Sequence, residues 1–340
     1  MSIESIPVIR AAYLNRCLAA LEQCRGNRQV CLQQFNLPTG LAGNADAYVP
    51  LKAVAALVRS AAYGADSEAF VLRVATGLKL ADFGSELRSG LLRARNLEEA
   101  LQTLIRLVDR EQSNVRYRMR RGGGEVRIVA SCADPSRWRS HFIDEWFRLW
   151  PLLAIFRHFA GKAWAPTVMV FQSEQAPGAR MQRVFAQTRF QIDRAETSIA
   201  FPAAILESNV ISCDAGRSAF GKSRGRRVAA GPATWDFATS VRAIVRSYLN
   251  DGYPDINQIA DTVGYSARTL QRRLRECDTN FTQIVQQCRI ELARDLLHDS
   301  DMRIIDVANA VGYDDPAHFS RAFGRVVGVS PSHYQRRAAA

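Results

Sequence analysis

Residues 259–276 read Ile259-Ala260-Asp261-Thr262-Val263-Gly264-Tyr265 and then Ser-Ala-Arg-Thr-Leu-Gln-Arg-Arg-Leu-Arg-Glu. Residues 307–325 read Val307-Ala308-Asn309-Ala310-Val311-Gly312-Tyr313 and then Asp-Asp-Pro-Ala-His-Phe-Ser-Arg-Ala-Phe-Gly-Arg. Each copy is an apolar-Ala-x-x-Val-Gly-Tyr run leading into a polar helix. An i,i+4 pair marks the buried face of that helix, Leu270 with Leu274 in one copy and Phe319 with Phe323 in the other. Helix, glycine-containing turn and second helix form the helix-turn-helix pattern, whose second helix enters the DNA major groove. Two in tandem predict a reader of double-stranded DNA.

Ser266 is placed to cap the first reading helix, and Asp315 followed by Pro316 is a stronger start signal for the second. Opposite Leu270 and Leu274 the first helix offers Arg268, Gln271, Arg272 and Arg275. Arg matches guanine O6/N7 and Gln matches adenine N6/N7, each through two hydrogen bonds. The equivalent face of the second helix holds Ala317, His318, Ser320 and Arg321. It is poorer in long donors and is expected to position more than it specifies. Between the motifs, residues 281–298 have the apolar pattern of one amphipathic helix, about 27 Å long at 1.5 Å per residue. Such a helix could hold the two reading helices about one turn of DNA apart, roughly 34 Å, so that one polypeptide meets two successive major grooves.

The chain has 340 residues and a net charge of +12. Within residues 236–340, 13 Arg face 13 Asp and Glu, so the expected reader is neutral overall and must sort its charge onto one face. Residues 212–235 combine glycines, few large apolar groups and five basic residues (Arg217, Lys222, Arg224, Arg226, Arg227). This is the composition of a flexible basic linker, which adds phosphate contacts or simply tethers. Only four of the 45 basic residues are Lys; a G+C-rich genome accounts for that bias as readily as DNA chemistry does.

Upstream, apolar spacing over residues 8–113 is helical, with stripes at Leu51, Val54, Ala55, Val58 and at Leu97, Leu101, Leu104, Ile105, Val108. Residues 115–130 read as a β-hairpin turning at Gly122-Gly123-Gly124, with Val115, Tyr117 and Met119 on one face and arginines on the other. The basic face is either solvated or meets phosphates or an acidic ligand. Residues 138–160 form an aromatic helix expected to bend or break near Pro151; its rings make a core or line a ligand pocket. Short strands are expected at 167–171, 189–192 and 198–201, with a helix at 180–186 before the last two. The fold class is therefore an α+β N-terminal sensor domain (residues 1–211), the linker (212–235), and an all-α C-terminal domain (236–340) with two helix-turn-helix motifs joined by a long helix.

The two motifs, Cys288-Arg289-Ile290-Glu291-Leu292-Ala293 and the closing Gly328-Val329-Ser330-Pro331-Ser332-His333-Tyr334-Gln335-Arg336 together resemble the AraC/XylS family of bacterial transcription regulators over residues 240–337. The resemblance places that family's base-contacting positions on Arg268, Gln271, Arg272, Ala317, His318, Ser320 and Arg321. The N-terminal part more loosely resembles the helix-rich, arabinose-binding-like sensor domain of a family subset, through the 97–108 helix, the hairpin, the aromatic helix and the spacing of Phe185, Phe190 and Phe201. Arabinose itself is not implied. The resemblance implies an activator that senses a small metabolite or signal, with DNA and RNA polymerase as partners. A small-molecule effector and a second copy of the chain are further candidates. The alternative is a ligand-independent regulator whose N-terminal domain serves only dimerisation or partner binding.

Other classes lack their chemistry. The seven cysteines show no C-x-x-C pair, and Cys17, Cys24 and Cys31, spaced by seven, read as buried thiols. No glycine-rich phosphate loop or catalytic set stands out, so neither an enzyme nor a cofactor is expected. The stretch 142–159 carries Asp144, Glu145, Arg148 and Arg157, which excludes a membrane span. With no signal-peptide pattern, a cytoplasmic location is expected.

Overall fold

In the computed structural model the chain is described over residues 5–24, 26–64, 67–132, 142–209, 232, 234–299 and 302–339. Residues 212–231 and 233 of the expected linker, and the start of the aromatic helix, 138–141, lie outside the described residues.

The first elements are strand β1 (Val8–Arg10), helices α1 (Ala11–Gln23) and α2 (Arg28–Gln34), strand β2 (Tyr48–Pro50), and helices α3 (Leu51–Gly64), α4 (Ser67–Gly77), α5 (Ser85–Arg93) and α6 (Leu97–Leu107). The antiparallel pair β1–β2 departs from the all-helical reading of this stretch. Three residues per strand are too few to print a two-residue alternation, and both strands are buried on every residue.

Next come β3 (Val115–Gly122), β4 (Glu125–Cys132), α7 (Phe142–Ala160), β5 (Val168–Val170), α8 (Ala179–Val184), β6 (Arg189–Gln191) and β7 (Thr197–Pro202). They form a sheet of order β3-β4-β7-β5-β6, antiparallel except between β5 and β6. The β3–β4 hairpin turns through Gly123 and Gly124, at φ +59° and +79°, the positive values that a tight two-residue hairpin turn requires. Val115 and Tyr117 point into the core, while Arg116, Arg118 and Arg120 point out. Helix α7 covers the inner sheet face and runs unbroken through Pro151, against expectation. Its rings are core: Phe142, Trp146, Phe147, Trp150, Phe156 and Phe159 are all buried, and Phe156 meets Phe201 of β7 edge-on at 4.6 Å. That much apolar burial on one helix outweighs a single missing N–H.

The remainder is helical: α9 (Phe237–Tyr248), α10 (Ile256–Val263), α11 (Ala267–Arg275), α12 (Phe281–Asp299), α13 (Ile304–Ala310), α14 (Pro316–Val327) and α15 (Pro331–Ala339). It holds two apolar cores. One joins α9, α10 and α11 to the first half of α12, through Phe237, Val241, Leu270, Leu274, Ile284 and Cys288. The other joins the second half of α12 to α13 and α14, through Ile290, Leu297, Val307, Phe319 and Phe323.

The first of these cores also takes in Val8 and Tyr48 from the β1–β2 pair and Ile6 just before it. Around that shared seam, the Trp235 indole N–H donates to the Asp109 carbonyl at 2.7 Å and its ring meets Tyr48 edge-on at 4.9 Å. Tyr248 donates to the Asn36 carbonyl at 2.7 Å. The Asp251 carboxylate accepts from the Thr39 amide, the Thr39 hydroxyl (3.0 Å) and the Gly40 amide (3.1 Å). Trp235, the last residue of the expected tether, is therefore docked.

Behind Tyr48 lies a buried charge pair. The Arg10 guanidinium sits over the Tyr48 ring at 4.8 Å, pairs with Asp46 at 2.9 Å and lies 3.5 Å from Glu111. Glu111 also accepts the Gly84 amide at 3.1 Å. Burial pushes its carboxyl from the ordinary 4.5 up to about 7, against the pull of Arg10 and of the Gly84 amide. A carboxyl with a raised folded-state pKa holds its proton longer in the folded than in the unfolded chain. Its contribution is therefore complete below about pH 4.5 and declines as pH rises towards 7. Glu111→Gln should remove that decline. Between pH 5 and 8 the variant is expected to gain about 2–4 kcal/mol relative to the wild type in denaturant-unfolding free energy.

Candidate nucleic-acid interface

The two repeats fold alike. Helix α10 ends on Gly264, at φ +80°, whose N–H bonds back to the Ala260 carbonyl at 2.9 Å; Tyr265 N–H shares that carbonyl at 2.9 Å. After α13, Gly312 stands at φ +79° and Tyr313 N–H bonds to the Ala308 carbonyl at 2.9 Å. Only glycine takes up this left-handed turn without steric cost, which explains Val-Gly-Tyr in both copies.

Ser266 caps α11, its hydroxyl accepting from the Thr269 amide at 3.2 Å. Leu270 and Leu274 are fully buried beneath it, worth roughly 1.5–3 kcal/mol each. Arg268, Gln271, Arg272 and Arg275 stand at i, i+3, i+4 and i+7 on the opposite face, and all four are exposed. Arg272 is engaged with Glu276 one turn on, at 2.8 Å. The neighbouring Arg273 points elsewhere: it is half-buried, with its guanidinium 5.6 Å from the Phe237 ring and 5.2 Å from the Tyr265 ring. One helix thus sorts its arginines by face, which a charge count alone does not reveal.

In α14, Asp315 accepts from the Ala317 amide at 2.8 Å and Pro316 takes the first helical position. Phe319, Ala322 and Phe323 are buried, while Ala317, His318 and Arg321 are exposed. His318 lies edge-on to Tyr313 at 5.6 Å, and Arg321 is 3.9 Å from Asp315. The Ser320 hydroxyl is half-buried and donates to the Pro316 carbonyl at 2.8 Å, which commits its proton within the helix. Arg325, outside the sequence-based set, is also exposed, one turn beyond Arg321.

Sequence reading also missed a contact on the first turn. Lys52 of α3 lies against Gly264, so close that a Cβ there would collide with its ammonium nitrogen. An exposed lysine in a helical stripe gives no hint of so distant a partner. The six described cysteines are unpaired. Burial raises the thiol of Cys132, and that of Cys288 up to about 12, far from a reactive thiolate. Among the described residues no group of three or more His, Cys, Asp or Glu is placed to hold a metal. No helix among them is long and apolar enough to cross a membrane.

Two family profiles match the chain. Residues 259–337 match a helix-turn-helix domain, and residues 26–210 match the arabinose-binding domain of AraC transcription regulators, N-terminal. The chain belongs to the AraC family of transcription regulators. An HTH-type transcriptional regulator of Mycobacterium tuberculosis is 37% identical over 100 residues, 28% of this chain and 29% of its own. The transcriptional activator CsvR of Escherichia coli is 32% identical over 98 residues, 29% of this chain and 36% of its own. The chain thus spans about three tenths of the length of the curated relatives it matches first. The crystal structure of the transcriptional regulator CdpR from Pseudomonas aeruginosa aligns over 95% of this chain and 98% of its own, at 22% identity and TM-score 0.41. These families and relatives are transcription regulators rather than enzymes.

The turn geometry makes a direct prediction. Gly264→Ala is expected to lower unfolding free energy by about 1–2 kcal/mol, because an L side chain must take a left-handed conformation. Making the same change in a Lys52→Ala background, followed by denaturant titration, separates that backbone cost from displacement of the lysine; the loss should persist.

Proposed function

We propose that this AraC-family chain is a sequence-specific DNA-binding transcription regulator that acts as an activator, with α11 and α14 entering successive major grooves. The observation that carries the reading is the exposed row Arg268, Gln271, Arg272 and Arg275 on a capped helix anchored by Leu270 and Leu274. His318, Ser320 and Arg321 on α14 are assigned the weaker part. Ser320 reaches DNA only by turning its hydroxyl away from Pro316, so α14 positions more than it discriminates. An activator role agrees with that of the relative CsvR, a transcriptional activator, and makes RNA polymerase a partner.

We further propose that the N-terminal part senses a small molecule. An open surface hollow of about 650 Å³, lined by residues including Glu22, Asn27, Arg28, Leu32 and Thr39, supports this assignment. Thr39 is also a partner of Asp251, so a ligand pressing on that wall acts on a residue that holds the reader. Opposite charges on Glu22 and Arg28 suit a small polar molecule carrying both signs.

Selection of binding sites from a random duplex library, followed by footprinting, tests the DNA reading. Arg272→Ala should cost about 1–3 kcal/mol at one cognate base pair and relax preference there. A loss spread evenly over all sequences would reassign Arg272 to phosphate. For the sensor, melting with a metabolite panel should reveal a compound that raises Tm, and Asp251→Ala should keep that shift while abolishing the compound's effect on DNA affinity. A flat panel, together with a dimer in sedimentation, would favour the ligand-independent alternative.

A further inference from the structure

Residue 289 sits at the boundary between the two halves of the reader. Cys288, one residue before it on α12, belongs to the first apolar core, and Ile290, one residue after, belongs to the second. Leu292 packs partly against both. Two separately packed heads on one helix share its axis, and a contact bridging them adds to what fixes their mutual twist.

Arg289 makes that bridge. Its guanidinium lies 4.3 Å from the Tyr313 ring in the turn of the second motif and 5.3 Å from the Tyr253 ring in the segment that leads into the first. Its Nε donates to the Val311 carbonyl at 2.5 Å. Gly312 is packed so tightly beneath it that a Cβ there would fall 2.6 Å from the guanidinium. Among the described residues, the ion pairs that join α12 to α9 do not cross in this way. Arg242 and Arg246 of α9 meet Glu291 on it, and Arg246 also meets Asp295, but these hold α9 to α12 without touching the second motif.

We propose that Arg289 is a positioning residue that sets the phase between the two reading helices, through a stack joining Tyr253 of the first head to the Val311–Tyr313 turn of the second. The flat guanidinium suits this role because it presents a face to each ring while its edge donates to a carbonyl, which a lysine ammonium cannot do. The inference rests on the reading that α11 and α14 occupy successive grooves of one site. Its consequence is that the protein measures the separation of its half-sites as well as their sequences.

The test uses the full chain and duplexes in which the DNA between the two selected half-sites is shortened or lengthened one base pair at a time. Each step rotates one half-site by about 34° relative to the other. The wild type should bind one spacing best. Arg289→Ala should weaken that complex about tenfold and flatten the spacing profile, while affinity for either isolated half-site stays within about twofold. Arg289→Lys should recover only part of the optimum. Tyr253→Ala, which removes a ring that is 61% exposed, should flatten the profile in the same sense even if Arg289→Ala does not fold.

An Arg289→Ala profile with the wild-type optimum and width would overturn the proposal. So would an equal loss at every spacing and on isolated half-sites, which marks a merely structural arginine. A wild type indifferent to spacing fails differently, because it removes the two-groove reading itself.

Discussion

Each reading helix is aimed by one backbone torsion. Gly264 and Gly312 differ by only a degree in φ, and the tyrosine after each bonds to the carbonyl five residues back. With that joint fixed, a capped amphipathic helix has one way to bury Leu270 and Leu274, or Phe319 and Phe323, and so one face to leave outside. The exposed donors are a by-product of that burial: the apolar pair selects the hidden side, and what remains of the helix surface is presented to a partner. Capping sharpens the start of each helix, the end that helix-turn-helix proteins turn towards base edges.

The reader is anchored to the rest of the chain unequally. Its first head shares an apolar core with Ile6, Val8 and Tyr48, carries the Asp251–Thr39 bonds and lies under Lys52. The second head packs on α12 and α15 through its own core. Any rearrangement of the N-terminal part is thus felt first at α10 and α11, the head with the long donors. It reaches α14 through α12 and the Arg289 contacts with Tyr253 and Tyr313. Arg10 backs the same seam from behind, since it stacks on Tyr48 and Tyr48 meets Trp235.

Much of this was legible in the residues. Period and punctuation disclosed both helix-turn-helix motifs, the long helix between them, the hairpin and the three later strands, because each is a local pattern with a marked start or stop. Arg268, Gln271, Arg272 and Arg275 were placed on one face by helical spacing alone. Hidden from the sequence was whatever depends on the partner a side chain takes in the folded chain. The three-residue strands at Val8 and Tyr48 carry no period. Arg273 resembles its exposed neighbours until Phe237 and Tyr265 are seen beneath it. Pro151 signals a break, yet the burial around it keeps the helix continuous. Ser320 looks like a free hydroxyl until its carbonyl partner one turn back is known.

Separate cores in the two heads also bear on how such a protein changes over generations. Substitutions on the outer face of α14 leave Leu270, Leu274 and their neighbours untouched, and changes on α11 leave Phe319 and Phe323 untouched. Distant, independently packed sites contribute to stability nearly additively. On the proposed two-groove reading, a lineage can therefore revise the contacts of one helix while the other, on its own core, keeps its hold on the old site.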